Sequence, residues 1–231
     1  MHRKQWEFCF ILQALENLGM MRPGKKALGF GVGQEPLAAN FAKRGMSVLA
    51  TDLDMSEAAN QGWVHTAQHA ASKRALNDRA ICDEEKFDEL VDFRNMDMNA
   101  IDPDLYGKYD VVWSACAFEH LGSIAQGLDF VINSVKCLRS GGVAVHTTEV
   151  NCSSDKETLD HTSTVIFRRR DFLGLARQLE AMGFEIEFNF NLGDQPLDKH
   201  IDVAPYSVDE HLKLQIEQWT CTSFGLIIRK P

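Results

Sequence analysis

Apolar positions along the chain follow two rhythms. Between residues 5 and 18, Trp6, Cys9, Phe10, Ile11, Leu12, Ala14, Leu15 and Leu18 recur at helical spacing, which predicts an amphipathic helix closed by Pro23 and Gly24. Short apolar runs then appear at 27–30, 47–51, 109–115 and 143–150, each bounded by turn residues and each too short for a helix. The run 109–115 is rich in β-branched residues and reads as a central parallel strand. Helical patterns fall between these runs, over 37–44 with Gly45 as its cap, 84–90, 123–138 before Gly141-Gly142, and 170–182 before Gly183. Strand alternation opens the segment 91–98, and 184–190 reads as a further strand. A short helix is expected over 208–215 and a closing strand over 219–228. Residues 56–83 carry the weakest pattern, with Trp63, His65 and His69 among polar neighbours.

Strands alternating with helices predict an α/β fold: a doubly wound, mostly parallel, seven-stranded sheet with helices on both faces and an antiparallel last pair. The first helix precedes the first strand, so residues 1–24 form an N-terminal extension or lid and 25–231 a single domain. Composition changes this picture little. The 231 residues are 45% apolar and 25% charged, an ordinary globular balance with length enough for a full core. A net charge of −9 opposes condensation onto a phosphate backbone, so no nucleic-acid partner is expected. The six cysteines contain no C-x-x-C pair and several sit in apolar runs, which reads as reduced core thiols in a cytoplasmic protein. The apolar stretch 8–12 breaks at Gln13 without a small-residue cleavage site, and no run reaches spanning length, so no membrane insertion is expected.

Chemistry concentrates after the first strand, where Gly29-Phe30-Gly31-Val32-Gly33 breaks the chain and Asp52 ends the second strand. Glycines let backbone approach a ligand closely, and an acid at that strand tip can accept hydrogen bonds from both hydroxyls of a ribose. An adenosine-containing cofactor follows; the competing reading is a tight turn without a ligand. A dinucleotide fingerprint requires G-x-G-x-x-G, but the third position here is Gln34, and no Lys-Ser/Thr follows for a P-loop. Glu35 at the following helix mouth would repel a pyrophosphate but tolerates an ammonium or sulfonium.

G-x-G-x-G with an acid-tipped second strand resembles the S-adenosylmethionine site of class I methyltransferases. The resemblance extends from Ala27 to Ile228, through Asp97 after the third strand, Tyr109-Asp110-Val111-Val112 in the fourth, Ala117-Phe118-Glu119-His120-Leu121 beyond it, and Leu138-Arg139-Ser140-Gly141-Gly142-Val143 before the fifth. It implies S-adenosyl-L-methionine as cofactor, held by Gly29, Phe30, Gly31, Gly33, Glu35, Asp52, Leu53, Asp97, Met98, Ser114 and Ala115. It departs at Ala27, where many members carry an acid for the methionine ammonium; Glu35 is the candidate substitute. Residues 146–151 and 165–171 resemble a bacterial subgroup associated with glycan or surface-polysaccharide gene sets.

Methyl transfer to a hydroxyl needs alignment and a base, sought beyond the carboxyl ends of the strands. His120, Glu149 and His161 are the catalytic candidates. Asn151, Arg168, Arg169 and Trp6 are the acceptor-binding candidates, with the arginines suited to a phosphate or uronate. No metal is expected, since Asp155, Asp160 and His161 lack ligand spacing and His65 with His69 lacks the metalloprotease glutamate. The leading expectation is O-methylation of a sugar, glycan intermediate or small hydroxylated metabolite. N-methylation of a small amine and a cofactor-binding module without turnover are the rivals, with a nicotinamide oxidoreductase behind them.

Overall fold

A computed structural model describes residues 2–54, 72–161, 163–207 and 211–231. Trp63, His65 and His69 lie outside the described residues, as do positions 208–210 of the helix expected over 208–215. The helices are α1 (Arg3–Asn17), α2 (Leu37–Lys43), α3 (Glu84–Leu90), α4 (Ile124–Ser134), α5 (Arg169–Ala181) and the short α6 (Pro196–Lys199). The strands are β1 (Lys26–Phe30), β2 (Ser47–Asp52), β3 (Val91–Asn95), β4 (Tyr109–Ala115), β5 (Leu138–Asn151), β6 (Glu185–Glu187), β7 (Ile201–Asp202), β8 (Lys213–Ile216) and β9 (Trp219–Arg229).

They form one sheet in the order β3-β2-β1-β4-β5-β9-β8-β7, with β6 also pairing β9. The first five strands are parallel, and β9 returns antiparallel along β5 from Val143↔Arg229 to Asn151↔Cys221. The predicted antiparallel ending is therefore present. The sheet has nine strands among the described residues, two more than the seven expected, because β7 and β8 add a short edge. Residues 213–216 are strand where a helix was expected: Leu214 buries against Ile166 and Cys221 while its neighbours face outward. The strand expected over 184–190 shrinks to Glu185–Glu187, because Phe188 and Phe190 turn to pack on Phe224.

Alternation within the central strands shows a sheet buried on both faces. Val111, Trp113, Val143 and Val145 join the core on one side, with Ile11 and Leu15 of α1 and Phe41 of α2. Leu28, Phe30, Val112 and Ala144 join the core on the other, with Phe130 of α4 and Leu175 of α5. The N-terminal helix thus shares the main core. At the opposite edge of the strands, buried Asp110 accepts hydrogen bonds from Lys25 Nζ at 2.8 Å, from the Lys26 amide at 2.9 Å and from Arg139. These contacts fix the starts of β1, β4 and β5 against one another and hold the Asp110 carboxyl below the usual carboxylate range despite its burial.

Gly29 sits in β1 opposite Trp113 of β4. The indole packs directly against the glycine, and a Cβ there would fall inside the ring's van der Waals envelope. A side chain of the core therefore requires glycine at position 29. Replacing it with Ala should destabilise the protein by about 1–3 kcal/mol, the usual cost of overpacking. Urea denaturation checks this, and an unchanged midpoint would contradict the packing account.

Candidate functional site

The loops following β1, β2, β3 and β4 converge at the carboxyl ends of the parallel strands, where open α/β sheets place their ligands. They enclose a cavity of about 850 Å³. The first loop reaches it by left-handed backbone at Gly31 (φ +57°) and Gly33 (φ +48°), conformations that glycine adopts without strain. A Cβ at Gly31 would also fall 2.8 Å from Ala117 Cβ and 2.9 Å from Met98 Sδ. The Gly33 amide donates to Asp52 Oδ2 at 3.1 Å and the Leu53 amide to Oδ1 at 2.9 Å. Asp52 thereby ties the glycine loop to the tip of β2 while its carboxylate faces the cavity. Leu53, Asp97 and Met98 also line it; the Asp97 carboxylate accepts the Asn99 amide at 2.8 Å.

Glu35 lies on the same wall but is buried, 6% exposed. Burial pushes its carboxyl up to about 8, against the opposing pull of the Trp113 indole N–H, which donates to it at 2.5 Å. At neutral pH Glu35 is a protonated acid. An ammonium brought beside it would favour the ionised form and release that proton.

Beyond β4 the wall is Ala115, Cys116, Ala117 and His120. His120 ends a single 3-10 turn, Phe118–His120, and its Nδ1 lies 2.9 Å from the Ser163 carbonyl. A carbonyl only accepts, so Nδ1 carries the hydrogen and Nε2 is the basic nitrogen, 3.9 Å from Glu119 Oε1. Burial holds the imidazole below its ordinary value, so it is neutral at physiological pH. His161 stands on the rim with its side chain 82% exposed and its backbone at φ +58°. Lys4 and Phe8 of α1 complete the wall.

Several expected site residues lie elsewhere. Phe30 points into the core against Phe130, and Ser114 is fully buried with its hydroxyl 2.8 Å from His146 Nδ1. Burial lowers that histidine to about 3, so it is a neutral core residue. Glu149 is 2% exposed and paired with Arg3, behind the cavity wall. Asn151 organises its own loop, accepting from the Ser153 and Ser154 amides and donating to Thr158 Oγ1. Arg168 caps α5 through Asp171 at 2.8 Å, and Arg169 lies over the Phe190 ring at 4.8 Å. Trp6 stacks on Phe10 and lines a separate cavity on the far side of α1. Placed on no wall of the main cavity, these side chains owe their positions to packing, capping or loop closure. Lys4 and Phe8 went unnoticed in the sequence, although their i, i+4 spacing puts them on one helical face. Cys116 did too.

No protein-family model matches the chain, and no curated protein resembles it in sequence. Solved structures do resemble it in shape. Magnesium protoporphyrin IX methyltransferase of Synechocystis, solved with S-adenosylhomocysteine, superposes with a TM-score of 0.57 at 13% identity, covering 98% of this chain and 83% of that one. The (4+2)-cyclase SpnF gives 0.58 at 14% identity, over 95% and 81%. A Galdieria sulphuraria protein provisionally assigned as a sarcosine dimethylglycine methyltransferase gives 0.51 at 15% identity, over 80% of this chain; the chain spans only 62% of that longer protein. Together with the strand order, these likenesses show that the chain has the class I S-adenosylmethionine-dependent methyltransferase fold.

Proposed function

We propose that the protein is an S-adenosylmethionine-dependent methyltransferase acting on a small hydroxylated molecule, such as a sugar, glycan intermediate or metabolite. The observation that carries this reading is the joint at Asp52. A carboxylate held by the Gly33 amide faces the cavity between the glycine loop and the Asp97 loop. The donor set suits an adenosyl group: the Asp52 carboxylate is a candidate acceptor for ribose hydroxyls, Asp97 for the adenine amino group, and Glu35 is a latent counter-charge for the methionine ammonium. When bound, the cofactor supplies a methyl group on a sulfonium, activated for in-line displacement. The chain's own residues then position the acceptor and exclude water, with Lys4 and Phe8 closing the wall from α1.

His120 is the proposed base. Its Nδ1–H is committed to the Ser163 carbonyl, which fixes the ring and leaves Nε2 as the proton acceptor. Glu149 is proposed to act at one remove, since it lies behind the wall. Two other readings keep a specific support. An amine acceptor needs less help from a base and would leave His120 variants nearly unimpaired. A fold used without methyl transfer has a counterpart in SpnF, a cyclase of the same shape.

Screening acceptors for conversion of S-adenosylmethionine to S-adenosylhomocysteine tests the assignment. On the true hydroxyl acceptor, His120→Gln should lower turnover by about 10²–10⁴ with cofactor affinity unchanged. Near-normal turnover would remove His120 as the base.

Glu35 makes a separate prediction. If the methionine ammonium is received by ionised Glu35, S-adenosylhomocysteine affinity should rise with pH toward about 8 and level above it. The sign follows from a folded-state value above the ordinary carboxylate range, so binding must remove a proton below that pH. The slope should approach about tenfold per pH unit and flatten in Glu35→Gln. Calorimetry across pH 6–9 giving a flat profile in the native protein would contradict the role.

A further inference from the structure

Between α1 and the ends of β4, β5 and β9 lies a group of charged side chains of which the reaction above uses only Lys4 and, at one remove, Glu149. Glu7 is fully buried, Glu119 is 1% exposed and Glu149 is 2% exposed. Their counter-charges are Arg3, paired with Glu149 Oε1, and Lys4, 3.2 Å from Glu7 Oε2. Three carboxyl groups face two cations, so the group holds one acid more than base in a place where unpaired charge is costly. The hydrogen bonding has a gap at the same point. Glu119 Oε2 accepts the Thr148 hydroxyl at 3.0 Å and Glu7 Oε1 accepts the Ser223 hydroxyl at 2.5 Å, but the buried Glu149 Oε2 and Glu7 Oε2 have no hydrogen-bond partner, nor do Nε and Nη1 of Arg3.

Cys116 completes the arrangement. It lines the cavity, and its backbone takes φ +46°, a left-handed conformation rarely stable for a residue with a side chain. Ligand atoms of Cys116, Glu119 and Glu149 lie within 4.8 Å of one another. We propose that these three side chains form a binding site for a divalent transition-metal ion, zinc by preference, just behind the cavity wall and reached from the cavity at Cys116.

The chemistry selects the ion. One sulfur and two carboxylate oxygens favour zinc or cobalt over magnesium or calcium, which take oxygen ligands alone. Binding breaks the Cys116 S–H bond, forms a metal–sulfur bond and sends the proton to solvent. The added double charge, less the thiolate charge, cancels the excess of acid. Glu149 Oε2 gains a partner while Arg3 keeps Oε1. Three protein ligands leave a coordination position open, as in catalytic zinc sites. On the methyltransferase reading, that position would receive the acceptor oxygen and acidify it beside His120.

The test is a binding measurement, independent of methyl transfer. Chelator-treated full-length protein is titrated with Co²⁺ and followed by absorbance. One equivalent should bind with a thiolate-to-cobalt charge-transfer band, release a proton, and be displaced by Zn²⁺. Cys116→Ser, nearly isosteric, should lose the band while keeping the native circular dichroism spectrum. Glu119→Gln should bind Zn²⁺ at least about tenfold more weakly in calorimetry, a loss that even an outer partner of a metal site produces. Absence of Zn²⁺ and Co²⁺ binding to the native protein would overturn the proposal. So would binding unaltered in both variants, which would place the ion on other residues. Methyl transfer by a protein that binds neither ion would leave the enzymatic assignment standing and this site refuted.

Discussion

The indole of Trp113 is the contact on which the rest of the site depends. It lies in β4 with no exposure, presses against Gly29 of β1, meets Phe41 of α2 edge-on with ring centres 4.8 Å apart, and donates its N–H to Glu35. One side chain therefore fixes the spacing of the two central strands, the seat of the following helix and the position of the acid at its mouth. A strand without a Cβ at Gly29 is the condition for this packing. The loop that follows then leaves β1 at a defined height and reaches Asp52 with its Gly33 amide.

The cavity has two halves of different origin. One is built from backbone and short side chains at consecutive strand tips, Gly31 to Glu35, Asp52 and Asp97, and its geometry follows from parallel pairing. The other combines residues remote in sequence: Lys4 and Phe8 from α1, Cys116 and His120 after β4, and His161 from the loop beyond β5. The first half suits a nucleoside and belongs to the fold. Behind the second half, the Arg3–Glu149 pair ties α1 to β5.

Legibility in the sequence follows the same division. The order of strands and helices was readable because each central strand is buried on both faces and appears as an unbroken apolar run. Gly31, Gly33 and Asp52 stand on the cavity wall, and strand tips and the turns after them are visible in local sequence. Gly29 also avoids a clash with Trp113, a partner far along the chain that no local pattern encodes. Arg168 and Arg169 looked like anion binders because charge is visible in sequence, whereas their partners Asp171 and Phe190 reveal themselves only in three dimensions. Glu149 was placed at a strand end correctly, but Arg3 claims one of its oxygens there. The edge strand at 213–216 was missed because its pairing with β9, and not its own period, decides its conformation.

The central claim is that the Asp52–Gly33 joint receives an adenosyl group on a sulfur-bearing cofactor. Isothermal calorimetry with S-adenosylhomocysteine and with NAD, on the native protein and on Asp52→Ala, tests it most directly. The homocysteine derivative should bind the native protein and NAD should not. Asp52→Ala should weaken binding by about 1.5–3 kcal/mol, the loss expected for hydrogen bonds to a charged group. Preference for NAD, or an affinity for S-adenosylhomocysteine untouched by Asp52→Ala, would contradict the account.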